Sequence, residues 1–280
     1  MPPASEFVLY GLGTRTPVRL AGRVAELSDA VRAAWSRCLH PDAPGAGALE
    51  TEPVGVRLDD VAFAGGEPAR PCGTGAPAEL AGEDLRLLLQ RLTQEVTYAK
   101  IRAQAGRLFM LHAGAVAHPV TGDAVAFVAP GGTGKTTLVR HLGERHAYLT
   151  DETVGFDAAG AIVPYPKPLS LRPGAGVHGK TETSPDALGL FAPPIDARCR
   201  LRRIVLLRRD DTHAGPPEVA TMSLFDAIAA LAPETSSLSA LPRPLHALAD
   251  VLGALDDTVT LTYRDAADVA RLVDAWLEPA

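Results

Sequence analysis

The sequence predicts an α/β fold: a mixed sheet sandwiched by helices, preceded by a smaller strand-and-helix module. Three observations predict it. Residues 124–128 form a short apolar run that passes into the glycine-rich stretch 129–134 and then into a helical pattern from Lys135. Downstream, strand and helix patterns alternate as far as the C-terminus, which is the signature of helices packed on a sheet. Upstream, two helical stripes are set apart from this region by stretches rich in Pro, Gly and Ala. The expected boundaries are an N-terminal α/β module over 1–107 and a second domain over 108–280.

In the first module, Phe7-Val8-Leu9-Tyr10 and Val18-Arg19-Leu20 are short strand candidates around Gly11-Leu12-Gly13. Leu27, Val31, Trp35, Cys38 and Leu39 recur at helical spacing, with Ser28 or Asp29 as a cap and His40-Pro41 as a stop. Residues 41–53 and 64–79 read as loops, and 54–58 alternate as a strand. Residues 83–105 return to helical spacing through Leu85, Leu88, Leu89, Leu92, Val96 and Ala99. No catalytic constellation stands out here, and the module is expected to help position an acceptor.

The second domain opens with a hairpin: residues 111–117 as one strand, 119–123 as the turn and 124–128 as the strand back. Then comes Ala129-Pro130-Gly131-Gly132-Thr133-Gly134-Lys135-Thr136-Thr137. Strand, glycine-rich turn, Lys-Thr and helix make up the context of a phosphate-binding loop, with Ala129 where the full consensus has Gly. Gly131, Gly132 and Gly134 let the backbone wrap a phosphate without side-chain clashes, and Thr133 lies between them. Successive N–H groups then point inward, and the helix start at Lys135, Thr136 and Thr137 adds free donors and a positive dipole end. Lys135 is placed to reach the terminal phosphates, and the Thr136 hydroxyl to meet Mg2+.

The next strand, 147–150, ends in Asp151-Glu152, with Asp151 only 15 residues beyond Thr136. Carboxylates there suit two tasks: holding a metal ion and taking a proton from an attacking hydroxyl. Residues 161–172 mix prolines with apolar residues and read as an edge strand or extended loop, in which Lys167 and Arg172 are candidates to meet a phosphate or the acceptor. Residues 173–187, rich in Gly, Thr, Ser and Pro, read as a mobile loop that closes over the site. Ile204-Val205-Leu206-Leu207 is a buried strand flanked by arginines. Residues 223–231 and 242–255 read as helices, and Thr258–Tyr263 alternates strictly, with its threonines on one face. Residues 266–277 form the closing helix.

Composition narrows the classes. The chain has 280 residues, 46% hydrophobic and 21% charged, enough for sizeable cores. A net charge of −6 argues against a nucleic-acid binder. The three cysteines, Cys38, Cys72 and Cys199, make neither a disulfide framework nor a metal-ligand spacing, which fits reduced thiols in a cytoplasmic protein. Neither a signal-peptide pattern nor a membrane-length apolar run is seen.

Together, Leu111-His112-Ala113-Gly114, then Gly132-Thr133-Gly134-Lys135-Thr136, then Thr150-Asp151-Glu152-Thr153-Val154 resemble the HPr kinase/phosphorylase superfamily, whose fold is related to PEP carboxykinase. Pro166-Lys167-Pro168-Leu169-Ser170-Leu171-Arg172 looks like a stretch common in its relatives from bacterial peptide-tailoring (RiPP and lasso-peptide) clusters. The likeness covers about residues 108–172 well and the rest in layout. It implies an HPr-kinase-like, Mg2+-dependent transfer of phosphate from ATP to a serine or threonine hydroxyl. By match, Asp151 is the catalytic base, His112 orients or charges it, and Glu152 stands where the family has a second Asp, near the metal. The Glu-x-Arg-Gly-Leu-Gly type of stretch that accompanies the reverse, phosphorolytic reaction is absent, so the likeness points to the tailoring kinases. Their acceptor is a ribosomally made precursor peptide. Relatives also form homo-oligomers through their P-loop domains. Alternatives open on the residues are a kinase of a small hydroxylated metabolite, a P-loop ATPase that couples hydrolysis to motion, and a nucleotide sensor.

Overall fold

The computed structural model describes residues 5–60, 78–172, 179–193 and 198–278. The chain divides into two compact units: residues 1–103 with 167–188, and residues 104–166 with 189–280.

The first unit begins with an antiparallel hairpin of β1 (Glu6–Gly11) and β2 (Thr14–Gly22). Gly11, Leu12 and Gly13 all take positive φ at the turn, which two glycines make cheap. Helix α1 (Val24–Ala34) starts earlier than the expected Ser28 or Asp29 cap and ends earlier too. Ser28 is buried inside the helix, and Arg23, at the cap position, makes no side-chain cap bond. The start is fixed instead by the backbone: the chain turns at Gly22 (φ 73°), and Arg23 N–H donates to Leu58 O at 2.9 Å. Glu26 supplies the acid of the first turn.

The short β3 (Leu49–Glu50) pairs with β2, and β4 (Val54–Leu58) runs parallel to it. The expected loop over 64–79 lies outside the described residues for most of its length. Its last two residues begin β5 (Ala78–Gly82), parallel to β4. That strand is hidden in the sequence because Ala and Glu carry little strand signal, and the pairing with β4 decides it. Helix α2 (Leu85–Gln104) matches the periodicity, its start capped by Asp84 Oδ1 accepting from Arg86 N–H at 2.9 Å.

The second unit begins with β6 (Phe109–Ala117) and β7 (Asp123–Val128), the expected hairpin. After α3 (Lys135–Gly143), the strands β8 (Ala147–Thr150) and β9 (Thr153–Phe156) both pair antiparallel with β6, and β10 (Ile162–Val163) pairs with β9. As the prolines predict, β10 ends the strand order.

Residues 167–188 then belong to the first unit, where β11 (Leu169–Leu171) and β12 (Thr181–Thr183) pair antiparallel. The expectation of a mobile closing loop over 173–187 is therefore corrected at 181–183, which form a strand; residues 173–178 lie outside the described residues. Glu182 holds this segment, accepting from Ser170 Oγ at 2.6 Å and Thr93 Oγ1 at 3.0 Å.

The chain re-enters the second unit for β13 (Arg200–Arg209), β14 (Glu218–Thr221), α4 (Leu224–Leu231), α5 (Pro244–Ala254), β15 (Asp257–Tyr263) and α6 (Ala266–Leu277). The sheet order is β10-β9-β6-β7-β13-β15-β14, with β8 also on β6. Within it β7, β13 and β15 are parallel. Ala113, Ala115 and Ala117 of β6 join Ala227, Leu231, Leu248 and Val251 from α4 and α5 in one apolar core. The alternate residue Gly114 faces Val139 of α3 on the opposite side. Helices thus cover both faces of a mixed sheet, as expected of an α/β sandwich. Among the described residues, no helix is long and apolar enough to cross a membrane.

Candidate functional site

The site grows from the end of β7. Residues 124–128 are fully buried or nearly so, so the chain leaves the sheet at a fixed point. Gly132 (φ 87°) and Gly134 (φ 105°) turn it, in a region where side chains other than Gly are strained. Thr133 Oγ1 closes the turn by donating to Pro130 O at 2.9 Å. A methyl group placed on Gly131 or Gly132 would meet nothing within 4 Å, so the loop faces open space.

Lys135 begins α3 directly after Gly134. Its ammonium donates to the carbonyls of Ala129 and of Pro130, the latter at 3.3 Å, so the side chain lies folded along the loop. Burial lowers its pKa, while Glu234, Glu152 and Asp151, in that order, hold it up. Thr136 and Thr137 follow on the first turn of the helix.

Asp151 is 5% exposed, at the end of β8. Its Oδ2 accepts from Thr136 Oγ1 at 2.9 Å and its Oδ1 from Tyr148 Oη at 3.1 Å. The Thr136 hydroxyl and the Asp151 carboxylate are thus in direct contact. Glu152 is half-buried next to it, and its backbone O accepts from Ala113 N–H at 3.1 Å.

His112, on β6, is also half-buried. Its N–H donates to Glu234 O at 2.7 Å. Burial, then the Lys135 charge, push its imidazole pKa down, against the opposing pull of Glu152 and Glu234. The ring is therefore neutral near pH 7.

Two residues here were not foreseen. Tyr148 looks like any strand aromatic, yet its hydroxyl is on the Asp151 carboxylate. Glu234 follows α4 and reads as a solvated loop acid. The bridge between Leu111 and Thr235 stitches that loop to β6 and brings its charge to bear on Lys135 and His112. Of the other candidates, Lys167 and Arg172 fall in the first unit. Lys167 is buried there, donating to Pro168 O at 3.1 Å, and Arg172 is exposed. Of the arginines that flank residues 204–207, Arg200, Arg202 and Arg203 stand at the opposite end of β13 from Arg209; Arg202 pairs with Asp256 and Arg203 with Asp257.

Among the described residues, no group of three or more His, Cys, Asp and Glu side chains forms a metal cluster. The donor set that is present, a threonine hydroxyl touching a carboxylate under an open glycine loop, suits a hard cation that takes its remaining oxygens from phosphate and water.

No family model and no curated protein matches the chain. Among solved structures it is similar to the HPr(Ser) kinase/phosphatase from Coxiella burnetii, at 13% identity and a TM-score of 0.29, over 59% of this chain and 91% of that one. A likeness that distant carries no functional argument; the residues do.

Proposed function

We propose that the protein is an ATP-dependent, HPr-kinase-like phosphotransferase acting on a serine or threonine hydroxyl of a peptide or small protein, with a ribosomally made precursor peptide as the favoured acceptor. One observation carries the reading: Thr136, in the first turn behind the glycine loop, hydrogen-bonds Asp151 at 2.9 Å. That bond sets a carboxylate beside the helix start behind the glycine loop, which supports the reading because phosphoryl transfer needs a phosphate cradle and a carboxylate together.

In this reading the amides of Gly131–Thr137 and the Lys135 ammonium hold the phosphate chain. Thr136 and Asp151, with Glu152 beside them, would hold Mg2+, which would supply neutralisation of charge on the transferring phosphate. As the acceptor oxygen bonds to the γ-phosphorus and the bond to the ADP oxygen breaks, Asp151 takes the acceptor's proton. Tyr148 fixes the carboxylate in place, and neutral His112, which feels the charges of Lys135, Glu152 and Glu234, adds no charge of its own. For Lys135 to reach a phosphate it leaves the carbonyls of Ala129 and Pro130. The parallel edge β7-β13-β15, from which the loop emerges, is where α/β sheets place ligands.

The test pairs binding of Mg-ATP with its turnover in the absence of acceptor. Tight binding, little hydrolysis and transfer of labelled phosphate to serine-containing peptides support the kinase. Rapid acceptor-free hydrolysis, lost in Glu152→Gln and kept in Asp151→Asn, replaces it with the ATPase reading.

A further inference from the structure

Arg209 reaches the glycine loop, and the reading of that loop as a phosphate site does not use it. It is the last residue of β13, which runs parallel to β7 in the adjacent position. Parallel neighbours end on the same edge of the sheet, and β7 ends in the glycine loop, so topology delivers Arg209 to that loop. A methyl group on Gly134 would meet Arg209 Nη1 at 3.9 Å, the nearest atom beyond its neighbours along the chain. Gly134 is the residue whose amide opens α3, beside Lys135.

The guanidinium now pairs with Asp211 at 3.0 Å. Both side chains are open to solvent, 48% and 80% exposed, and a pair this exposed holds its partners weakly. Arg209 also lies close enough to Tyr263, at the parallel end of β15, for its charge to pull against the burial that raises the tyrosine's pKa. The head group is therefore anchored over the sheet edge, free to exchange one anionic partner for another. Guanidinium is the group suited to that exchange, because its forked donors match phosphate oxygens two at a time.

We infer that Arg209 is a second cation for the polyphosphate chain, giving up Asp211 to bind phosphate oxygens beside the Gly134 amide. This rests on the nucleotide reading above and adds a residue to it. Lys135 covers the loop from its own helix, and Arg209 covers it from the neighbouring strand. The contact serves binding of the phosphate chain as such, so it acts on ATP, ADP and inorganic tripolyphosphate alike and does little for AMP.

Calorimetric titration of the full-length protein with Mg-ADP, inorganic tripolyphosphate and AMP tests it, on wild type, Arg209→Ala, Arg209→Lys and Asp211→Asn. Melting curves without ligand confirm that each variant folds. Losing a charged, forked hydrogen bond predicts about 10- to 100-fold weaker binding of Mg-ADP and tripolyphosphate by Arg209→Ala. Arg209→Lys falls between that variant and wild type, and Asp211→Asn binds more tightly than wild type. Equal tripolyphosphate affinity in wild type and Arg209→Ala overturns the assignment of Arg209 and leaves the nucleotide site standing. If wild type binds neither Mg-ADP nor tripolyphosphate, the nucleotide reading falls and this inference with it.

Discussion

Thr136 and Asp151 touch, hydroxyl to carboxylate, at 2.9 Å. One lies on the first turn of α3 and the other at the end of β8, the strand that follows it. Replacing Asp151 by Asn keeps the shape and removes the proton acceptor. Affinity for ADP in the absence of Mg2+ should change by no more than a few fold, while phosphotransfer falls about 10²- to 10⁴-fold, the usual worth of general-base catalysis. Single-turnover transfer beside equilibrium binding separates the two, and near-normal transfer would falsify the base assignment.

Lys135→Ala should act on the other half of the reaction. It removes the charge proposed to meet the terminal phosphates, so turnover should fall by about 10²-fold or more. Lys135→Arg, longer and forked, should not restore it. Steady-state rates at saturating Mg-ATP decide this; a variant that keeps its rate would show that the ammonium stays on its loop carbonyls.

Glu234 is the strongest charge holding up the Lys135 pKa and one of two acting so on His112. Glu234→Gln keeps the backbone bond to His112 and removes the charge. Each pKa, already lowered by burial, should fall further. For His112 this appears as a downfield-to-neutral transition at lower pH in an NMR titration of the imidazole. An unchanged transition would place the Glu234 carboxylate away from the ring.

At Gly114 the sheet comes close to the helix that carries the loop. A methyl group there would lie against Val139 Cγ2 and 3.5 Å from Asp151 Cα. Gly114→Ala should overpack this face and cost about 1–3 kcal/mol. Val139→Ala in the same chain should return part of that stability, which thermal melts of the two single variants and the double variant would measure. Additive losses would mean the two sites do not meet.

Stability of the first unit should rise with pH and then level off. Burial brings Lys100 down to about 7, where its ammonium donates to Leu9 O at 2.8 Å and Thr14 Oγ1 at 3.0 Å. Between that pH and its unfolded value of 10.5 the unfolded chain holds the extra proton. Stability therefore climbs with pH in this window, by at most about 1.4 kcal/mol per unit. Cys38, pushed up to about 12 by burial, has the opposite effect above its unfolded value of 9.0, where the unfolded thiol ionises first. The slopes offset each other from there. Urea titrations from pH 7 to 10, followed by Trp35 fluorescence in a Trp276→Phe background, should show the climb, and Lys100→Met should flatten it.

The hairpin, the glycine-rich turn and the nearness of Thr136 and Asp151 along the chain are legible in the sequence because they are local. Apolar runs, glycines and a separation of 15 residues are one-dimensional signals. Tyr148 was not, since alternation says which face a side chain takes and not whom its hydroxyl meets. Glu234 and Arg209 come from loops and strand ends far along the chain, where an acid or a base ordinarily means solvent; sheet topology alone carries them to β6 and β7. The same is true of β5, which is a strand because β4 lies beside it. The start of α1 was misread for a related reason, since a backbone bond to Leu58 replaces the cap that the sequence offered.

The allegiance of residues 167–188 has a temporal consequence. Ser36 and Arg37 of the first unit bond Asp186, and Thr93 bonds Glu182. A ribosome releases the chain from the N-terminus, so β1 to α2 emerge well before these partners exist. By the time Asp186 appears, β6 to β10 are already out. The first unit therefore stays incomplete until well after its N-terminal piece has emerged, and its two pieces must find each other while the strands around the glycine loop are also free to pair.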